Sequence, residues 1–424
     1  MSSSARVLIG LLAGIALGLA LTAWQPSIAG AVAGVTQPVG DLWLNALQMT
    51  VVPLVVALVV LGVASTSDAA LVHQDSAGRK ARRAIVVFLV LLSCGAAFAA
   101  VFAPLQLSLL PRDPATVASL QAAIGTPAAE VASAGFAARF AAIIPSNAIA
   151  AAAQSAMLPL VVCALFFGFA LTRVEARRRQ QAVDLFQTLA DAMVTIVRWV
   201  IWVAPLGVFA LAFSICVKAG VSILGALGWY ILAQCTLYLA VTLALYSVAV
   251  FFGGQRLRQF AAGILPAQVI AASTQSSLAT LPAMVDSAQN KLQCPPGVTA
   301  LVLPMAVSLF RMTSPVQYIG VSCFIAWIYG VDLSATQLIL GAALAVVISL
   351  GSVGLPGQVS LMAMNMPVVQ SMGLPVAPLA LMLAVETIPD AFATVGNVTG
   401  DLAATTVVSR QSQDPPDPKT GNTA

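Results

Sequence analysis

Long apolar stretches alternate with short polar loops along most of the chain. A helix needs about 20 mainly apolar residues to cross the hydrocarbon core of a membrane. A transmembrane barrel would instead show short segments that alternate apolar and polar residues. The pattern therefore predicts an all-α polytopic membrane protein. It predicts eight spanning helices, at about residues 7–24, 42–64, 84–107, 150–172, 193–217, 226–252, 301–328 and 376–408.

Two further apolar stretches do not fit as simple spans. Residues 259–290 and 337–373 each have two apolar arms around a break, at "STQSS" (273–277) and "GSVGLPG" (351–357). Non-helical backbone survives at membrane depth only where protein or a water-filled cavity satisfies its polar groups. We therefore predict two re-entrant helical hairpins that enter from opposite sides as inverted repeats, an arrangement that builds a binding site near the midplane. Two ordinary kinked hairpins are the alternative.

Basic residues are concentrated in three loops. "GRKARR" (78–83), "RVEARRR" (173–179) and "RLR" (256–258) follow the second, fourth and sixth predicted spans. Because cytoplasmic loops carry the excess of Lys and Arg, this placement predicts a bacterial inner membrane protein with cytoplasmic N- and C-termini. The net charge of +4 thus reflects topology. Without a soluble basic face and interleaved aromatic residues, nucleic-acid binding is not expected.

Composition argues against soluble and metal-centred proteins. The chain is 60% hydrophobic and 8% charged, with a mean hydropathy of +0.96, whereas about a quarter of residues are charged in soluble domains. Its six cysteines form no CxxC motif, and His73 is its single histidine. We therefore predict neither a zinc site nor histidine-based catalysis.

Polar residues form one stripe on the last predicted helix. At about 100° per residue, Asp390, Thr394, Asn397 and Asp401 fall within about 60° of one another. Each aspartate costs roughly 2.5 to 3.5 kcal/mol at the centre of a spanning helix, so we expect both to be functional. Arg311 lies eleven residues into the seventh predicted span, and pairing with one of these aspartates is the least costly solution. A structural stripe, and an Arg311 that reaches the membrane interface, are the alternatives.

An intramembrane protease and a channel are the two other classes of protein that a membrane chain with aspartates could belong to. An intramembrane aspartyl protease needs aspartates on two facing helices, one of them in Gly-x-Gly-Asp. Here both aspartates lie on one helix, and the sequence before Asp401 is Val-Thr-Gly. A channel would show conductance without saturable substrate binding. We therefore predict that the chain is not an enzyme.

Five short motifs occur in a fixed order along the chain: "MLPLVV" (157–162), "APLGVFAL" (204–211), "SSLATLP" (276–282), "GLPG" (354–357) and "NVTGDL" (397–402). Together they resemble the dicarboxylate/amino acid:cation symporter family, the glutamate transporters and their prokaryotic homologues. The likeness runs from about residue 42 to 408.

The resemblance implies a homotrimer of elevator-type transporters, surrounded by membrane lipid. Residues 1–70 and 113–222 would form a static scaffold. Residues 80–112 and 223–410, which include both hairpins, would form a transport domain that slides across the membrane. Residues 411–424, polar and proline-rich, would be a disordered tail.

The resemblance also implies a binding site for a small-molecule substrate. Asp390 would hold the substrate ammonium, while the tip of the first hairpin and Asn397 would hold its α-carboxylate. Thr394 would lie beside the substrate side chain, the second hairpin would be the extracellular gate, and Asp401 would be a cation ligand. Na⁺ or H⁺ would be the coupling ion, and no other cofactor is expected. The implied substrate-binding residues are Ser276, Ser277, Gly354, Pro356, Gly357, Asp390, Thr394 and Asn397, with Arg311 as a further candidate.

Two departures from the family pattern affect the expected substrate and ion. Ala393 stands where acidic amino acid transporters carry an arginine, which favours neutral amino acids. The family's Asn-Met-Asp-Gly stretch corresponds to residues 310–313, so a sodium-binding aspartate is missing. We therefore expect Arg311 to act as a tethered cation that pairs with Asp401 and removes most or all of the sodium dependence. In the rival hypothesis Arg311 binds a substrate carboxylate, and the chain is a dicarboxylate or acidic amino acid:cation symporter. Ordinary sodium symport is the third reading.

Overall fold

The computed structural model describes residues 3–71, 76–110, 144–154, 156–220, 222–351 and 357–413. Every regular element within these ranges is helical. The helices, numbered here in chain order, are α1 (Ser3–Trp24), α2 (Pro26–Leu71), α3 (Ser76–Ser108), α4 (Ala148–Ala153), α5 (Met157–Leu171), α6 (Ala176–Trp202), α7 (Ala204–Ala219), α8 (Ser222–Phe251), α9 (Leu257–Thr274), α10 (Ser277–Asp286), a π-helical turn (Ser287–Lys291), α11 (Pro296–Leu309), α12 (Ser314–Tyr329), α13 (Ala335–Gly351), α14 (Gly357–Ser371), α15 (Pro378–Val385) and α16 (Thr387–Gln413).

Four of the described helices, α2, α3, α6 and α8, are long and apolar enough to cross a membrane alone. A fifth candidate consists of α15 and α16 together, which meet at a bend of 74°. Five other apolar helices are shorter, with 10–17 residues each. The all-helical class is thus confirmed and is consistent with a polytopic membrane protein, whereas the eight spans stay a prediction.

Several predicted spans are broken in the structure. The seventh, over 301–328, is interrupted at residues 310–313, where Phe310 adopts an extended backbone with φ −128° and ψ 104°. The fifth is interrupted at Val203, and the eighth at Glu386. A proline follows shortly after each break, at Pro205, Pro315 and Pro389. Proline lacks the N–H of a helical hydrogen bond and disfavours helical backbone in the residue before it.

Two predicted boundaries were also wrong. The helix expected over 42–64 begins at Pro26 and continues to Leu71, with Pro38 and Pro53 inside it. The basic loop that follows the fourth predicted span becomes helical at Ala176. Polar residues interrupt the apolar pattern in both extensions, and the first extension also contains glycines and prolines. Neither extension therefore reads as part of an apolar run.

The first predicted hairpin consists of α9 and α10, which pack against each other. Gln275 ends α9 in the left-handed conformation, with φ +52°. The Ser276 hydroxyl oxygen then accepts a hydrogen bond from the backbone N–H of Ala279 at 3.2 Å and caps α10. The chain therefore reverses within the predicted "STQSS" tip. In the second hairpin α13 packs against α14, but its tip falls in residues 352–356, outside the described residues.

Helix α1 packs on α7, and α2 packs on α5, α6 and α7, while α3 packs on α12 and both α8 and α9 pack on α16. Helix α2 joins the N-terminal helices to the later ones, since it also packs on α3, α13 and α14. A Cβ atom at Gly10 would collide with the Pro205 carbonyl, and one at Gly14 would lie 2.6 Å from the Phe209 carbonyl oxygen. Small residues at this spacing let α1 lie close to α7. The last helix continues to Gln413, three residues into the predicted tail, and the remainder of that tail lies outside the described residues.

Candidate substrate and cation site

The predicted polar stripe lies on α16. Thr394, Asn397 and Asp401 are each at most 2% exposed, whereas Asp390 is half-buried. The Thr394 hydroxyl donates to the Asp390 backbone carbonyl at 2.8 Å, so it is satisfied within its own helix. Asp390 is therefore the carboxylate of this stripe that is most accessible to a solute.

The break between α11 and α12 lies directly against this stripe. The backbone N–H of Thr313 donates to Asn397 Oδ1 at 2.8 Å, and its hydroxyl lies 3.0 Å from the same atom. Gly396 allows this approach, since a Cβ there would be 2.6 Å from Thr313 Cγ2. The Asn397 carboxamide oxygen thus accepts hydrogen bonds from the broken segment. Its Nδ2 group is the donor left for a substrate carboxylate.

Arg311 is half-buried within the same break. Thr313, two residues further on, contacts the Ala393 carbonyl and Asn397 Oδ1, so the break lies along α16 between Asp390 and Asp401. The positive charge of Arg311 is within electrostatic range of Asp390. A cation and an anion in this arrangement complement a substrate that carries both charges.

Asp401 lies about three turns of α16 beyond Asp390 and is fully buried. Neither of its carboxylate oxygens has a hydrogen-bond partner among the described residues. No hydrogen bond therefore joins Arg311 to Asp401, so the pair expected from the sequence is not formed in this structure. A buried carboxylate without donors is costly unless a cation or a proton neutralises it. No group of three or more His, Cys, Asp or Glu side chains in the described parts of the chain could hold a metal.

The tip of the first hairpin lies beside the start of α16. The Gln275 side-chain amide donates to the Thr387 carbonyl at 2.9 Å. Ser276 and Ser277 are half-buried at the N-terminus of α10, where free N–H groups and the helix dipole favour an anion. The Ser276 oxygen is already an acceptor for the cap, so its hydroxyl proton is what it can offer to a carboxylate.

The tip of the second hairpin, with Gly354 and Pro356, lies outside the described residues. Gly357 begins α14. The role of these three residues as an extracellular gate stays a prediction.

Sequence reasoning missed one buried acid. Glu386, at the break before α16, is 2% exposed. Its Oε2 accepts a hydrogen bond from the Tyr230 hydroxyl at 2.6 Å, and its Oε1 accepts one from the Gln317 amide at 2.5 Å. A signal was present in the sequence, because Glu386 precedes Asp390 by four residues and extends the same helical stripe.

Comparison with known proteins identifies the family. The model of the sodium:dicarboxylate symporter family matches residues 4–411. The proton/glutamate-aspartate symporter of Escherichia coli strain K12 is 28% identical over 96% of this chain and 92% of its own length. C4-dicarboxylate transport protein 2 of Ralstonia nicotianae is 29% identical over 96% of this chain and 89% of its own length. Neutral amino acid transporter B(0) of Oryctolagus cuniculus is 30% identical over 93% of this chain and 77% of its own length.

These relatives are membrane transporters, which confirms that the chain is not an enzyme. The names also confirm the classes predicted from the five motifs, amino acid and dicarboxylate transport. The chain belongs to the sodium:dicarboxylate symporter family of secondary transporters.

Proposed function

We propose that this transporter carries small dicarboxylates, foremost acidic amino acids, in symport with a cation. The observation that carries the proposal is that the broken segment with the half-buried Arg311 lies against the α16 stripe, where Thr313 contacts Ala393 and Asn397. An acidic amino acid has three charged groups. Asp390 would bind its ammonium, Arg311 one carboxylate, and the first hairpin tip with Asn397 the other carboxylate.

This proposal reverses the order of the two hypotheses drawn from the sequence. The tethered-cation hypothesis requires Arg311 to neutralise Asp401, but the Asp401 carboxylate has no hydrogen-bond partner among the described residues. Asp401 thus keeps the need for a cation. Met312 stands where the family pattern suggests a second carboxylate, so fewer negative charges surround an ion at this site. We propose that Asp401 takes the coupling cation, Na⁺ or H⁺.

Transport would follow the elevator scheme that the resemblance implies. The packing is compatible with a scaffold of residues 1–70 and 113–222 and a transport domain of residues 80–112 and 223–410. The homotrimer, the bacterial inner membrane and the cytoplasmic termini belong to the same proposal.

Neutral amino acids are the second candidate substrate class. Ala393 favours them, because an arginine would occupy this position one turn beyond Asp390 in acidic amino acid transporters of the family. The 30% identity to a neutral amino acid transporter supports the same class. In this case Arg311 would bind the Asp390 side chain and compete with the substrate ammonium.

Uptake by purified protein in liposomes separates the candidates. Labelled L-aspartate, succinate and L-alanine are supplied with Na⁺ or choline outside, and each with and without an inward proton gradient. Saturable uptake of aspartate, and weaker uptake of alanine, is the expected result. Uptake of alanine with no uptake of aspartate or succinate would refute the carboxylate proposal and support the second candidate.

A further inference from the structure

Glu386 lies at the hinge of a broken helix and outside the substrate site described above. It follows the last residue of α15 and precedes α16, where the helix direction changes by 74°. Its side chain is 2% exposed. No role in binding substrate or cation has been assigned to it so far.

Both hydrogen-bond partners of the Glu386 carboxylate are neutral. The Tyr230 hydroxyl and the Gln317 amide each donate to one carboxylate oxygen. A hydroxyl can also accept a hydrogen bond, and an amide can turn to present its oxygen. The two partners can therefore satisfy Glu386 when it is ionised and when it is protonated. A group that changes its protonation state during a transport cycle needs this property.

The other ionisable groups near Glu386 lie on two helices. On α8 these are Tyr230, Cys235 and Tyr238, and on α16 it is Asp390, with Arg311 acting on Asp390 and Tyr238 from the broken segment. Phenols and thiols ionise well above neutral pH in water. Asp390 is therefore the other acid here whose protonation competes with that of Glu386.

The two carboxyl groups are one turn of helix apart, and the Asp390 backbone N–H donates to the Glu386 carbonyl at 2.8 Å. Two like charges at this spacing repel each other, so a proton shared between them is favoured. A substrate ammonium that binds Asp390 forces that proton onto Glu386. The two acids are then both neutralised, one by the ammonium and one by the proton.

We infer that Glu386 is a proton-binding site of the transport cycle, which takes up a proton from water on one side of the membrane and releases it on the other with each substrate. This inference rests on the proposed function. Asp390, which is half-buried, connects Glu386 to the side from which substrate arrives. No bond other than the O–H bond of the carboxyl group forms or breaks.

The test uses the full chain in liposomes with Na⁺ equal on both sides and the membrane potential clamped at zero. Labelled L-aspartate is supplied with pH 6 outside and pH 7 inside. With Na⁺ bound at Asp401, one coupled proton then gives about tenfold accumulation of substrate in the wild type. In Glu386→Gln, which keeps the shape and hydrogen-bonding capacity of the protonated acid, accumulation falls to about onefold while counterflow exchange of aspartate continues. Asp191→Asn, an exposed acid on α6, retains about tenfold accumulation.

Three outcomes overturn the inference. First, if the Glu386→Gln variant still accumulates aspartate about tenfold, the proton binds elsewhere. Second, if a Na⁺ gradient drives aspartate uptake by the wild type and a pH gradient does not, the inference is wrong but the proposed function is unaffected. If Glu386→Gln loses counterflow or does not fold, Tyr230→Phe carries the test. Loss of this donor disfavours the ionised carboxylate and moves the pH of half-maximal uptake upward, and an unchanged pH profile contradicts the inference.

Discussion

Replacement of Arg311 by Gln tests how the substrate is recognised. Arg311 is half-buried at the break between α11 and α12, within electrostatic range of Asp390. Two unit charges about 4 Å apart interact by about 4 kcal/mol at an effective dielectric constant of 20. A glutamine keeps one hydrogen bond, worth about 1 kcal/mol. The net loss for a substrate carboxylate is therefore about 2 to 3 kcal/mol, which corresponds to a rise in Kd of about thirty- to 150-fold.

The assay is equilibrium binding of labelled L-aspartate and L-alanine to purified protein. Arg311→Gln is expected to weaken aspartate binding by this factor and to leave alanine binding within about threefold of the wild type. Arg198→Gln, which removes an exposed arginine of α6, serves as the control. Equal weakening of both ligands would refute a carboxylate contact. Tighter alanine binding would instead indicate that Arg311 competes for Asp390, as the second candidate function requires.

Three further substitutions test the stripe on α16. Asp401→Asn removes a buried carboxylate that has no hydrogen-bond partner among the described residues. The melting temperature without added cation should therefore rise, and the cation dependence of uptake should disappear. An unchanged cation dependence would contradict the role of Asp401 as a cation ligand. Asn397→Ala leaves the Thr313 backbone N–H without its acceptor, while the Thr313 hydroxyl keeps the Ala393 carbonyl. The loss should cost about 1 to 3 kcal/mol of stability in a thermal unfolding assay. Asn397→Asp, which keeps an acceptor, should lose less in the same assay. Gly396→Ala places a Cβ 2.6 Å from Thr313 Cγ2 and should reduce uptake. Gly30→Ala is the control, because nothing lies within 4 Å of the added atom. Equal uptake by the two variants would show that the close approach of Gly396 to Thr313 is unimportant.

Uninterrupted apolar runs predicted the simplest helices well. The predicted spans at 84–107 and 226–252 correspond to Lys80–Ser108 and Gly225–Phe251 in the structure. The breaks at Val203, Phe310 and Glu386 were missed, because apolar content does not change where a helix is interrupted. The prolines that follow these breaks were the available signal, since proline limits the backbone before it.

The stripe on α16 could be predicted because it depends on helix geometry alone. The contact of Thr313 with Asn397 could not, since it joins residues from two separate helices. The choice of Arg311 between Asp390 and Asp401 was open for the same reason, because it depends on where the broken segment lies along α16. Glu386 was overlooked although it lies on the stripe, and its neutral partners Tyr230 and Gln317 are visible only once the helices are packed.

A double-mutant cycle of Asp390→Asn and Arg311→Gln, read out by equilibrium binding of L-aspartate, tests the central claim most directly. If one aspartate molecule bridges the two side chains, each single variant binds it at least about tenfold more weakly than the wild type. The double variant then loses less than the product of the two single losses, because the two contacts are made in one bound complex. Wild-type affinity for aspartate that is no higher than for alanine, or single variants that bind aspartate as tightly as the wild type, would contradict a charge-paired carboxylate site.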